Sequence, residues 1–586
     1  MNKKILQFFL ILLIGLTLSL WITTQIFAHI TNYNPVLKPV IGKFYFPYSI
    51  IVWIFKYKKS APRLTDLSLL LIGVFNSIYS IFIYVILCKR GQKDTHGSGR
   101  YSKPRELKKK GYLDRKVPQK GELYKDGVIL GRTTTSKTII DNEKTHILVV
   151  AKSRSGKGTG IILPTLVNWR GSVICFDIKG ENFKTTSKYR QDYFGNKVLR
   201  LAPYDALGGS KYNPLKEIRI RTPYEVRDCE IIANILTQPE RGKSRDHFHV
   251  SANTVFVSVF LHLLYKDENA SLSDVYEFMT SPSKTQEEKF SDLLKERYES
   301  DKNIIRNIYG NKYEDGVHPT IVQGATEMLE KSSRERSSVI STALNKLAIF
   351  KDPIIKKNTS SSDFRIKDLM DNDNPVSLYF CAQQEELDAL GLYIRIFITQ
   401  FIGISMRKEK HKHKCLMMLD EFPAYGKIEL MDIALGFVAS YGIKMVLIAQ
   451  NTEQIKAVYG QVNSIRQGCA SSVFYAPTAT DYETCKLISD MLGSKTIYYD
   501  TQSGKKYGGF FDGNVNINKK SRRLMEPEEV IPQLGDENSI IMLGGCYPTF
   551  GRIIKYYEEP YLDQKIFNLE ERENPKNWAN IDKLRS

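Results

Sequence analysis

The chain has 586 residues and carries 84 Lys+Arg against 64 Asp+Glu, a formal net charge of +20. That length allows about three to five domains; the 38 Gly and 22 Pro exclude collagen-like and low-complexity chains, and a mean hydropathy of −0.29 excludes a carrier made mostly of membrane helices. The positive surplus suits a polyanionic partner, nucleic acid or anionic lipid, but solvated surface lysines give the same count, so charge alone decides nothing.

Residues 5–28 contain no charge and are mostly Leu, Ile and Phe. At ~1.5 Å per residue such a helix crosses a ~30 Å hydrocarbon core. A second uncharged run covers 67–88, so residues 1–90 are expected to form a membrane anchor with two transmembrane helices. The first run is too long for the apolar part of a cleaved signal and no A-x-A site follows it. Lys3 and Lys4 precede the first run, and Lys89, Arg90 and Lys93 follow the second. The 31–66 loop holds Lys38, Lys43, Lys56, Lys58, Lys59 and Arg63, so the distribution of positive charge does not fix orientation. The nucleotide site read below does, because ATP is cytoplasmic: both ends are expected inside and 31–66 outside. Its stretch PYSIIVWIF (47–55) is expected to lie along the membrane or to dock on a partner.

Beyond a basic, polar stretch, strands are expected at 145–150, 172–177, 198–202, 376–382, 415–419, 443–449, 471–475 and 539–543. Several are apolar on both faces, as in a parallel sheet covered by helices, and their alternation with helices predicts a doubly wound α/β core. Residues 222–365 have helical spacing throughout and read as an all-α domain inserted between two parts of that core, 91–221 and 366–560. The 561–586 tail is polar and charged, hence peripheral. Cys88, Cys175, Cys229, Cys381, Cys415, Cys469, Cys485 and Cys546 include no C-x-x-C pair, which argues against a zinc site or a disulfide framework and for a reducing compartment.

The sharpest signal is the turn Ala151-Lys152-Ser153-Arg154-Ser155-Gly156-Lys157-Gly158-Thr159-Gly160. It follows an apolar strand and precedes IILPTLV, the setting a P-loop needs, in which successive backbone N–H groups cradle phosphate and the lysine reaches the β- and γ-phosphates. Ala151 stands for the usual first glycine. Gly158 stands for the Ser/Thr that normally ligates Mg²⁺, so Thr159 is the substitute candidate. Downstream, CLMML runs into Asp420 and Glu421, as in a Walker B strand: Asp420 would hold Mg²⁺ and Glu421 would orient or deprotonate the attacking water. Gln450 closes the strand IKMVLIA and could sense the γ-phosphate. Asp177, ending SVICFD, reaches the same sheet edge, where open α/β sheets bind ligands, or makes a structural hydrogen bond there.

Taken in order, HGSGRYSKPREL (96–107), GVILGR (127–132), AKSRSGKGTG (151–160), FDIKGEN (176–182), YNPL (212–215), RSSVISTALNKLAIFKDP (337–353), LDEFPAYGKIE (419–429), MVLIAQ (445–450) and RLMEPEEV (523–530) resemble the TraG-type coupling proteins of type IV secretion and conjugation systems. The resemblance implies a RecA-like P-loop ATPase core with an inserted all-α domain, an inner-membrane anchor, a homo-hexamer, and ATP with Mg²⁺. It further implies recruitment of secreted protein substrates, or of DNA with its relaxase, to secretion-channel components. The family often carries an arginine in the turn before the strand ending at Gln450, acting across a subunit interface. Here that turn holds Ala439, Ser440 and Tyr441, which leaves Arg466 or Arg154 as candidates. Two other readings fit the same motifs: an FtsK-like DNA translocase, which would normally add a DNA-reading C-terminal module, and a docking receptor that nucleotide merely stabilises. Basic runs such as KSAPR and RELKKKGYLDRK suit either lipid or DNA backbone.

Overall fold

The computed structural model describes residues 3–88, 97–113, 124–239, 244–503, 514–559 and 562, in two compact units, Met1–Thr95 and His96–Ser586. Most of the expected 561–586 tail and part of the basic run after residue 113 lie outside the described residues.

The first unit consists of long helices Lys3–Ile30 and Pro62–Cys88 and a short one, Ser49–Tyr57. Stretches Leu12–Ile30 and Pro62–Ile83 are long and apolar enough to cross a membrane. They leave Leu13, Leu16, Leu18, Leu69, Leu70, Ile78 and Ile81 exposed. A helix apolar on its outer face and left uncovered is one that lipid solvates better than water. Where the two helices meet, the Asn76 amide donates to Ser19 Oγ at 2.9 Å, the kind of polar pair that joins helices in an apolar medium. The short helix falls within the PYSIIVWIF stretch. It buries Ile50, Trp53 and Ile54 against Phe27, Ala28 and Tyr45 and presents Ile51, Val52 and Phe55 outward.

The second unit is built on an eleven-stranded sheet in the order β2-β1-β13-β12-β9-β3-β8-β7-β4-β6-β5. Its strands are β1 Val128–Thr133, β2 Thr138–Asp141, β3 Ile147–Val150, β4 Ser172–Ile178, β5 Lys197–Leu201, β6 Val376–Ala382, β7 Cys415–Leu419, β8 Ile443–Ala449, β9 Ser471–Phe474, β12 Asn538–Met542 and β13 Thr549–Arg552; β10 Ser494–Ser503 and β11 Asn514–Arg523 form a separate hairpin. From β9 to β5 every neighbour is parallel. The β12, β13, β1 and β2 end is antiparallel, so the sheet is mixed. All eight expected strands coincide with observed ones to within two residues. β3, β6, β7 and β8 are buried at every position, which is why their sequences read as unbroken apolar runs.

Between β5 and β6 the described residues form helices and no strand, from Pro214–Glu217 to Asp368–Asp371. Ser271 with Asp274 and Thr285 with Glu288 form capping boxes that start two of these helices. Helices His247–Lys266 and Leu387–Ser405 are also long and apolar enough to span a membrane, but most of each is buried inside the unit. One continuous core joins Phe256 and Phe260 of the first to Phe397 and Phe401 of the second and to Phe176 on β4, so their apolarity is that of a protein interior.

Two glycines near the start of this unit have a direct steric reason. A Cβ on Gly97 or Gly99 would sit 2.4 or 2.6 Å from the Ser494 carbonyl oxygen, because this segment lies against the first residues of β10, with Gly99 N–H donating to that oxygen at 2.8 Å.

Candidate functional site

The turn 151–160 leaves β3 and enters a helix at the carboxyl ends of the parallel strands. Ala151 N–H donates to the Ala449 carbonyl, continuing the β3–β8 ladder by one residue. Arg154 and Gly156 then take left-handed backbone at φ 60° and 86°, which curls the loop so that Lys157 opens the helix. The first helical turn, Gly158–Ile162, is a π turn, closed by Leu163 N–H on the Gly158 carbonyl. Pro164, next in line, has no N–H to donate to Gly160, and the widened turn accommodates that missing bond. Gly160 is required by packing: a Cβ there would meet the Ile554 carbonyl at 2.7 Å and the Tyr475 hydroxyl at 2.8 Å.

Lys157 is brought directly onto the acidic end of β7. Its ammonium lies 2.9 Å from Asp420 Oδ1 and 2.5 Å from Glu421 Oε1. Burial pulls the Lys157 pKa down, but the two carboxylates raise it by more, and the ammonium stays charged. Burial pushes the Asp420 carboxyl up, against the pull of Lys157. Glu421 sits at φ 54°, left-handed backbone that a non-glycine residue adopts at a cost of order 1 kcal/mol or more. The strain turns its side chain back toward the loop. Asp420 Oδ1 accepts from Glu421 N–H at 3.1 Å, and the Tyr425 hydroxyl donates to the Asp420 carbonyl. Gln450, at the tip of β8, donates from Nε2 to Glu421 Oε2 at 2.9 Å. The two Glu421 oxygens therefore have separate partners, a cation and an amide.

These groups line a cleft of about 630 Å³ shared by Ser153, Arg154, Gly156, Lys157, Gly158, Thr159, Asp177, Asp420, Glu421 and Gln450. Ala151 lies beneath it, fully buried. Ser155 Oγ donates to the Lys152 carbonyl and Thr159 Oγ1 to the Gly156 carbonyl, so both hydroxyls brace the loop. Asp177 accepts from Asn182 and Phe183 N–H, capping the start of helix Glu181–Phe194; burial raises its pKa to about 6.

Arg466 is not among these groups. It is exposed and lines a different cavity with Thr452, Ile455 and Lys486, so within one chain it does not reach the loop. The cleft also contains Tyr557 and Gln384, which sequence reasoning did not single out. Neither belongs to a local pattern: Tyr557 arrives on a single turn, Tyr556–Glu558, after the last strand.

A further residue missed from sequence holds the loop's helix in place. Arg190 is completely buried, and its guanidinium donates to the carbonyls of Leu166, Trp169 and Gly171 and, through Nε, to Ser377 Oγ. It thereby satisfies the carbonyls at the end of the helix that Lys157 begins and fastens them to β6.

Residues 100–580 match the family profile described as type IV secretory system conjugative DNA transfer. The chain belongs to that conjugative DNA transfer family. A relative in the family is the conjugal transfer protein TraG of Escherichia coli, 31% identical over 92% of this chain and 90% of its own length. Protein VirD4 of Rhizobium radiobacter is 28% identical over 83% of this chain and 68% of its own. Among solved structures, the plasmid coupling protein TrwB in complex with ADP and Mg²⁺ superposes with a TM-score of 0.55 at 16% identity, covering 80% of this chain and 97% of TrwB. At that identity the likeness concerns the fold: an α/β core with a large sheet, as the family resemblance implied.

Proposed function

We propose that this chain is an inner-membrane ATPase of a type IV secretion or conjugation apparatus, which recruits cargo and powers its transfer by hydrolysing ATP. The observation that carries the reading is the Lys157 ammonium held between Asp420 and Glu421, with Gln450 on the far oxygen of Glu421. Phosphate binding, charge neutralisation and water positioning are the three requirements of phosphoanhydride hydrolysis, and these side chains supply one each. TrwB, which shares the fold, has been crystallised with ADP and Mg²⁺ and with a non-hydrolysable ATP analogue.

In this reading the backbone N–H groups from Ser153 to Thr159 cradle the phosphates. Lys157 leaves the carboxylates for the β- and γ-phosphate oxygens, and its departure frees Glu421 Oε1. Glu421, still held by Gln450, orients the attacking water and accepts its proton. The donor set suits Mg²⁺, which takes one or two carboxylates together with substrate phosphates: Asp420 would hold it, with the Thr159 hydroxyl replacing the oxygen that Gly158 lacks. When bound, Mg²⁺ neutralises charge developing on the phosphates. Arg466, exposed and away from the cleft of its own chain, would act only across a ring interface.

The wider assignment follows the same lines. Helices within 5–28 and 67–88 form a two-pass anchor with the bulk of the chain cytoplasmic. Segments 91–221 and 366–560 form a RecA-like ATPase core, 222–365 an all-α domain, and the chain works as a homo-hexamer. Its cargo is secreted protein, or DNA with its relaxase. The deciding experiment is phosphate release by the full chain in detergent or nanodiscs. Wild type is expected to turn over ATP and Lys157→Ala to lose at least 100-fold; a Lys157→Ala protein working at the wild-type rate would refute the reading.

A further inference from the structure

Behind the acidic strand end lies a second groove, of about 580 Å³, between helices Glu225–Leu236, Leu387–Ser405 and Glu429–Ala434. Its walls are apolar, from Ile231, Ile235, Met406, Leu430 and Ile433, and Ile433 is 65% exposed. Around them stand Arg219, Arg227, Arg395, Arg407 and Lys427, against a single lining carboxylate, Glu429. Arg219 and Arg407 both pair with Asp228. Among the described residues, no carboxylate lies within ion-pair distance of Arg227, Arg395 or Lys427.

Arg395 is the unusual one. Its guanidinium is largely buried, its Nε has no hydrogen-bond partner, and Nη1 donates to the Tyr425 carbonyl at 3.0 Å. A buried cation without a counter-charge is costly to a fold. Yet the backbone makes room for this one: a Cβ on Gly426, at φ 77°, would lie 2.6 Å from Arg395 Nη1, and one on Gly391 would lie 3.5 Å from it. Two glycines thus leave space for a guanidinium that has no acid beside it, in a groove whose other free charges have the same sign.

We propose that this groove docks an acidic segment of a partner protein, with apolar side chains between the helices and one carboxylate on Arg395. The charge balance of the groove calls for an anion, and bidentate carboxylate recognition is what a guanidinium does best. The apolar walls decide between protein and nucleic acid. Backbone phosphates gain nothing from Ile231, Ile235 and Leu430, whereas an amphipathic helix places apolar anchors at i, i+3 and i+4 into such a groove. Occupation would also be felt at the cleft. Arg395 holds the Tyr425 carbonyl, Tyr425 holds the Asp420 carbonyl, and Asp420 pairs with Lys157. Docking itself does not rest on the ATPase reading; only this relay does.

The test uses the full chain in detergent and three fluorescein-labelled probes read by anisotropy. The first is a twelve-residue peptide with Leu at i, i+3 and i+4 positions and Glu elsewhere; the second has every Glu replaced by Gln; the third is a twelve-nucleotide single-stranded DNA. The acidic peptide is expected to bind at least tenfold tighter than its Gln counterpart and not to be displaced by the DNA. Arg227→Glu with Lys427→Glu should weaken it at least tenfold, and Arg395→Met should abolish it. Arg395→Met should meanwhile unfold no earlier than wild type, since it replaces an uncompensated buried cation. No binding of the acidic peptide, binding unmoved by the charge reversals, displacement by DNA, or a Tm lowered by more than about 5 °C in Arg395→Met would each overturn the proposal. Failure of ATP turnover with peptide binding intact would instead strike the ATPase reading alone.

Discussion

Gln450 Nε2 donates to the Glu421 oxygen that Lys157 does not touch, so the amide at the tip of β8 fixes the carboxylate at the tip of β7 whether or not the lysine is there. A residue that orients a base acts on the chemical step rather than on ground-state binding. Gln450→Ala is therefore expected to lower kcat about 10- to 100-fold while the affinity for a fluorescent ATP analogue changes less than threefold. Glu421→Gln, which removes the proton acceptor, should lower kcat at least 100-fold and leave the protein loaded with ATP. Parallel losses of affinity and rate in Gln450→Ala would show that it binds nucleotide instead of positioning Glu421.

What the sequence made legible follows from burial. β3, β7 and β8 bury every position, so their apolar runs stand out, and with them the residues at their tips: Lys157, Asp420, Glu421 and Gln450. β1, β2 and β13 form the antiparallel end of the sheet, and as short segments of four to six residues they gave no usable periodicity. GVILGR was noticed as a motif and not as a strand. Hairpin β10–β11 includes NVNINKKSRR, too polar to separate from a loop. Arg190, Arg395 and Tyr557 escaped because their roles depend on partners far along the chain: Ser377 for Arg190, 187 residues away, and the P-loop for Tyr557. Asp177 could have been functional or structural on sequence grounds; its two backbone N–H donors make it the cap of a helix as well as part of the cleft wall.

Gly158 offers a direct probe of how the loop manages without the usual hydroxyl. A Cβ added there meets nothing within 4 Å, and its backbone is not left-handed, so Gly158→Ser should fold normally. If the new hydroxyl takes the place of Thr159 on Mg²⁺, the Mg²⁺ concentration giving half-maximal ATP turnover should fall several-fold, and Thr159→Val, damaging in the wild-type background, should become nearly neutral. A Mg²⁺ dependence identical to wild type would mean that residue 158 does not face the metal.

Arg190→Met should be among the most destabilising single changes in the second unit. It keeps the apolar stem but orphans three buried carbonyls and the Ser377 hydroxyl, and leaving buried polar groups unpaired costs about 1–3 kcal/mol each. A loss of about 3 kcal/mol or more is expected, read as a lower urea midpoint. Because those carbonyls end the P-loop helix, nucleotide affinity should fall as well. Arg190→Lys should rescue only part of this, since one ammonium cannot reach all four acceptors in the geometry of a guanidinium fork. Full rescue by lysine would show that charge, and not the fork, is what the site needs.

The acid response of the fold can be reasoned from three buried groups. Burial, with Lys444 nearby, lowers the His146 pKa to about 4; burial, with Lys266 nearby, does the same for His262. His146 Nδ1 accepts from Met445 N–H while its Nε2 is buried without a partner, so a second ring proton would have no acceptor. Both histidines fold neutral but protonate in the unfolded chain near pH 6.5. The unfolded state therefore binds more protons between pH 6.5 and 4, and stability falls as pH drops through that window, by about 2 kcal/mol for each histidine at pH 5. Asp177, raised to about 6, acts oppositely: the folded state takes up its proton first, returning about 1 kcal/mol over the same interval. The histidines win. The urea midpoint is expected to be clearly lower at pH 5 than at pH 7, and His146→Gln, which preserves an acceptor for Met445, should reduce that difference, whereas Asp177→Asn should enlarge it. A midpoint equal at the two pH values, or one whose pH dependence ignores His146→Gln, would mean that His146 is not what couples this fold to acid.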